Sequence, residues 1–264
     1  MGIAAGSFTR TEDRRHYLCY STPLMSPQFT PSPPFPRTAI GFAPQYLDFR
    51  RGIRVGNLED NQRITRILKL ALEARFRQPF VTERFGRGVY WQWIGFVARA
   101  NRSAKPISSK VSFGCAKFFL TVDIGEGLFK CGFSVERGFK KNPDFPSIEL
   151  QPDWDWHRLL GALKPSGAMA RELKRLVSRE GFHIDAGCWE NRHKIEGSLP
   201  DVAKLKRMLN NADPSSWAGF QVYYPMQEKE VQGSSGVDLI ESMMAIFEEV
   251  TPAMNLCMQI RLDE

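Results

Sequence analysis

The chain has 264 residues, is 42% hydrophobic and carries 19 Phe and 6 Trp. That content supports a sizeable core and excludes a disordered chain. No stretch approaches the roughly 20 apolar residues of a spanning helix, and the first residues hold no apolar signal core, so a soluble, cytoplasmic protein without membrane contact is expected.

The formal net charge is +7, unevenly spread. Residues 58–110 carry eleven Lys or Arg against four acids, whereas residues 226–264 carry Lys229 and Arg261 against eight acids. A basic segment and an acidic tail in one chain imply a polar surface field. The 5 cysteines are scattered and form no CxxC, as expected of reduced, buried thiols.

Residues 1–40 contain Pro23, Pro27, Pro31, Pro33, Pro34 and Pro36. Proline fixes φ and removes a donor, so this stretch reads as a flexible tail. Residues 41–264 read as one domain. Asn57 is placed to cap a helix over 58–77, in which Ile64, Ile67, Leu68, Ala71 and Leu72 form one stripe. Pro79 ends it. Residues 88–97, GVYWQWIGFV, are apolar on both faces and aromatic-rich, which favours a central strand. A basic loop over 99–110 follows.

Residues 110–138 then read as a β-hairpin. Phe118, Leu120, Val122 and Ile124 alternate with polar neighbours in one arm, and Phe129, Cys131, Phe133 and Val135 in the other. Parity sets the turn. Apolar positions are even in one arm and odd in the other, so a shared face needs an even loop. A two-residue turn at Gly125-Glu126, or a four-residue loop, pairs Val122 with Phe129 and Leu120 with Cys131.

Beyond a loop, helices are expected over 154–163 and 167–180, the first capped by Asp153 and the second punctuated by Gly181. Residues 182–190 alternate as a strand. Pro200 opens a helix to 211, and residues 217–224 form a further strand. Residues 227–236 read as a mobile polar loop. A last helix over 237–249 stops before Pro252. Adjacent hairpin arms break strict βαβ alternation. The fold class expected is α+β, a mainly antiparallel sheet built around the central hairpin with helices packed on one face.

Three functional readings remain open on the residues alone. In the first, Arg63, Arg66, Lys69, Arg77, Arg84, Arg87, Arg99, Arg102 and Lys105, interleaved with Phe85, Trp91 and Trp93, contact nucleic acid or another polyanion. Arginine forks grip phosphate, and aromatic faces stack bases. In the second, a cleft beside the hairpin uses Trp91, Trp93, Glu136, His183, Asp185 and Trp189 to bind a small molecule or perform acid–base work. A nuclease metal set from Glu73, Asp123 and Glu136 is disfavoured, because Glu136 is followed by Arg137-Gly138 rather than a lysine two positions on. In the third, the acidic C-terminal helix docks a partner or a second copy. No catalytic residue, metal site or cofactor is assigned: no histidines or cysteines have zinc spacing, and Gly125-Glu126-Gly127 joins two strands rather than a strand and a helix.

Overall fold

The computed structural model describes residues 37–105, 113–140 and 150–263. The Pro-rich stretch before Arg37 lies outside them. The strands are β1 (Leu47–Asp48), β2 (Gly52–Arg54), β3 (Phe80–Arg87), β4 (Tyr90–Ala98), β5 (Ala116–Asp123), β6 (Leu128–Gly138), β7 (His183–Cys188), β8 (His193–Ile195) and β9 (Ala218–Gln227). The helices are α1 (Ile64–Phe76), α2 (Arg99–Ser103), α3 (Asp155–Ala162), α4 (Ala168–Ser178), α5 (Val202–Asn210), α6 (Glu228–Gly233) and α7 (Gly236–Asn255). The fold is α+β: a nine-stranded sheet whose pairings are all antiparallel, with helices packed against it.

The β5–β6 hairpin is the middle of this sheet. Val122 pairs with Phe129 and Leu120 with Cys131, the register that parity demands. The last pair is Asp123 with Leu128, so the loop holds the four residues 124–127. On its far side β6 pairs with β9, which pairs with β7. β4 carries β3 along one edge and shares the other between β5 and β2, because Tyr90 pairs with both Arg87 and Arg54.

One face of the hairpin meets the helices. Phe118 packs its ring on Phe76 of α1 at 5.8 Å and on Phe247 of α7 at 4.7 Å. Phe129, Phe133 and Val135 join the stripes of α3, α4 and α7 in one hydrophobic cluster. Burial of this area is the main source of stability.

Several local expectations are corrected. Asn57 turns left-handed with φ 54° instead of capping, and α1 begins only at Ile64. The intervening turn docks on residues 39–41, where the Asn61 side chain donates to the Ala39 carbonyl at 2.9 Å. The expected basic loop contains α2. The expected polar loop at 227–236 is α6, opened by a capping box between Gln227 and Glu230. α7 runs through Pro252, whose turn is held by the buried neighbours Val250, Thr251, Ala253 and Met254. β1, β2, β3 and β8 were not anticipated.

Candidate functional site

The other face of the sheet carries charge, and that charge is buried. Pairing sets a row across six strands: Glu83, Gly95, Phe119, Gly132, Tyr223 and His183. Beside it runs a second row of Lys117, Ser134, Gln221, Asp185 and Lys194. A third holds Glu136, Gly219 and Gly187. Lys117, Lys130, Ser134 and Asp185 are all no more than 3% exposed.

Two ion networks make this burial tolerable, since an unpaired buried charge costs several kcal/mol. In the first, the Lys117 Nζ lies 3.0 Å from both the Glu83 and Glu136 carboxylates, and 5.4 Å from the Trp93 ring centre. Burial alone would lower the Lys117 pKa, but the two glutamates outweigh it and hold the ammonium charged well beyond its usual range. In the second, the Lys130 Nζ meets Asp123 at 2.9 Å, Glu126 at 3.1 Å and Asp185 at 3.1 Å. Arg192 reaches Asp123 at 3.1 Å, and the Tyr223 hydroxyl donates to Asp185 at 3.0 Å. Burial and the Asp185 charge push the Tyr223 phenol far up, so it stays a donor. Burial opposes the Asp123 charge, yet the Lys130 hydrogen bond prevails and keeps that carboxyl below its ordinary range.

Between the networks lies a shallow cleft of about 10 Å³, room for roughly one water molecule. Its floor is the Gly219–Gly187 pair, where no side chain fills the sheet surface. Gly187 sits at φ 107°, which a side chain would strain. Glu136, Asp185 and Gln221 supply polar groups, and Trp189, Trp217 and Arg192 stand around them. Arg192 lies over Trp189 at 4.4 Å. Trp217 is held edge-on by Phe113 at 4.8 Å. Its loop is clamped by Arg137, whose guanidinium donates to the Ala212, Asp213 and Ser216 carbonyls. Gln221 is 4% exposed, and its Oε1 has no hydrogen-bond partner among the described residues; the same holds for the paired Ser134 Oγ.

Of the pocket residues expected from sequence, Glu136, Asp185 and Trp189 line this cleft together. His183 stands one position outside it, its ring 5.8 Å from Tyr223, with burial lowering its pKa. Trp93 covers Lys117 on the same face, and Trp91 lies towards β2. Gln221, Trp217 and Arg192 were missed. Only the pairing of β9 with both β6 and β7 brings them in, and no local pattern signals it.

The basic residues are not one face. Arg63 donates to the Leu58 carbonyl at 2.6 Å and pairs with Asp60, while Arg66 lies 3.8 Å from Asp60 and Lys69 3.7 Å from Glu73. Arg77 is exposed in the left-handed turn that ends α1. Arg84 and Arg87 are exposed on β3, and Arg99 and Arg102 sit on α2. Lys105 leaves the set altogether. It is fully buried, 2.9 Å from Asp155 and bound to the Asn101 carbonyl and side chain. Asp155 also accepts from the Ala116 and Gln259 backbone, so this cluster ties α2, β5, α3 and the chain end.

Glu73 accepts from the Phe80 N–H, while Asp123 and Glu136 answer different lysines, so that carboxylate trio is not assembled. Among the described residues no group of three or more His, Cys, Asp or Glu is placed to hold a metal ion, and no helix is long and apolar enough to cross a membrane. Comparison with protein-family models, with curated proteins and with solved structures finds no match.

Proposed function

We propose that the chain is a ligand-binding protein whose shallow cleft receives a hydroxyl of a neutral polyhydroxyl ligand. The observation that carries this reading is the Gln221 Oε1, buried and without a hydrogen-bond partner among the described residues, in a cleft that Trp189 and Trp217 also line. A buried acceptor without a donor costs about 1–3 kcal/mol, which a ligand hydroxyl recovers.

Charge balance decides the class. Glu136 and Asp185 face the cleft, but Lys117, Lys130 and Arg192 already answer them. A strongly ionic ligand therefore finds little unpaired charge to oppose. A sugar ring offers hydroxyls that donate and accept, and a C–H face that lies on an indole. The cleft is shallow, with room for about one water-sized group, which suits a single ligand hydroxyl better than a buried nucleotide.

Titration calorimetry against neutral mono- and disaccharides, with a diamine and inorganic phosphate alongside, tests this. Binding confined to the sugars, and lost in both Gln221→Leu and Trp217→Leu, is expected. Preference for the diamine or phosphate, or heat unchanged in those variants, overturns it.

A further inference from the structure

A second site stands apart from the cleft, at the other end of the sheet. We infer that the corner formed by β1, β2, β3 and β4 binds single-stranded nucleic acid, through stacked arginine–aromatic pairs and exposed Phe85.

Three guanidinium groups there lie on rings. Arg51 stands over Tyr90 at 4.3 Å, Arg84 over Trp91 at 4.4 Å, and Arg54 over Tyr46 at 5.6 Å. The pairing sets Arg54, Tyr90 and Arg87 side by side across β2, β4 and β3, so the Arg51 and Arg54 stacks adjoin Arg87, while Arg84 projects from the other face of the β3 edge, next to Phe85. Val55 and Gly56 both donate to the Val89 carbonyl, which fastens the β3–β4 turn to the end of β2. Phe85 is 67% exposed, the most exposed large hydrophobic side chain among the described residues, and it pairs with Trp93.

Charge complementarity selects the occupant. Arg50, Arg51, Arg54, Arg84 and Arg87 lie on these strands and their turns. The acids there are Asp48 and Glu83. Asp48 holds the turn, accepting from the Arg50 and Arg51 backbone and pairing with the Arg51 Nε. Glu83 points inward to Lys117. The outward charge is therefore arginine: Arg51 keeps one edge on Asp48, while Arg54, Arg84 and Arg87 make no ion pair among the described residues and offer their edges to phosphate, with ring planes already set for stacking. Phe85 offers an uncovered face to a base. A duplex hides its base faces, so a single strand gains from both features and a duplex from charge alone.

Fluorescence anisotropy of labelled single-stranded DNA and RNA of about twelve nucleotides, beside the matching duplex, across a salt series from about 50 mM, tests this. Four phosphates neutralised on a single strand give a log–log slope near −3. Phe85→Ala weakens the complex about tenfold with the slope kept. Arg84→Ala with Arg87→Ala flattens the slope by about 1 to 1.5, and Arg99→Ala with Arg102→Ala leaves both quantities unchanged. No binding at low salt, duplex bound as tightly as single strand, or equal loss in the α2 variant overturns the assignment. So does preference for anionic lipid vesicles over the oligonucleotides.

Discussion

Lys117 and Lys130 occupy the polar positions of an alternating hairpin, where sequence reading places side chains in water. Both are buried, because β6 is the middle strand and its second face is covered as well as its first. Alternation reports which residues share a face; it does not report what that face meets. His183 and Asp185 were therefore legible as members of one face, while Glu136 joins them only through the pairing of β6, β9 and β7, Trp189 stands in the turn after β7, and the ion networks had no signal in the sequence. Tyr223 is the sharpest single test of those networks. Its hydroxyl donates to Asp185, so Tyr223→Phe removes a hydrogen bond to a buried carboxylate and fills no new space. Urea unfolding is expected to show a loss of about 1.5–3 kcal/mol. His183 gives a test by pH. Burial lowers its pKa from the ordinary value of 6.5. The unfolded chain then binds more protons than the folded one as pH falls through that value, so stability drops between about pH 7 and 5. His183→Gln is expected to flatten that interval when denaturation midpoints at the two pH values are compared.

At the scale of elements, the hairpin's register was readable because period and parity constrain each other, while its turn length stayed open, since two- and four-residue loops have the same parity. β3 was not, because FVTERFGR mixes apolar, charged and small residues without clean alternation. Its register even shifts between Phe85 and Gly86. α6 was hidden by glycine and serine around a capping box, and α7 by Pro252, which tertiary packing overrides. Gly132 shows what holds the central pairing. A Cβ there would stand 2.0 Å from the Val222 carbonyl oxygen and 2.7 Å from the Tyr223 Cα, both backbone atoms. The two strands approach too closely for any side chain. Gly132→Ala must push β6 from β9 at the centre of the sheet, and a loss of about 3 kcal/mol is expected. Thermal melts check it. Gly233→Ala, with nothing within 4 Å of the new methyl, serves as the control and should be near neutral.

For the whole molecule, the acidic C-terminal segment answers arginines from across the chain, one of which, Arg75, belongs to the basic segment. α7 contributes Glu241, Glu248 and Glu249, which pair with Arg37, Arg75 and Arg175 from distant parts of the chain. Such exposed pairs contribute about 0.2–1 kcal/mol each. Met243, Met254 and Met258 of the same C-terminal region are buried in the core rather than presented to a partner. The interior charges are another matter. Continuum reasoning holds that a buried ion triad is no more stable than apolar residues of similar volume, while breaking it costs heavily. The Glu83–Lys117–Glu136 triad allows the two statements to be separated. Lys117→Met alone leaves two buried glutamates unanswered and is expected to cost about 3–5 kcal/mol. The triple variant Glu83→Leu, Lys117→Met and Glu136→Leu should recover that loss, matching or exceeding the native chain in urea midpoint, yet fail to bind at the cleft that Glu136 lines. A stable, non-binding triple variant would mean that the polar layer is retained for its ligand rather than for the fold. A triple variant as unstable as the single one would make the charged layer structural and remove that support from the cleft.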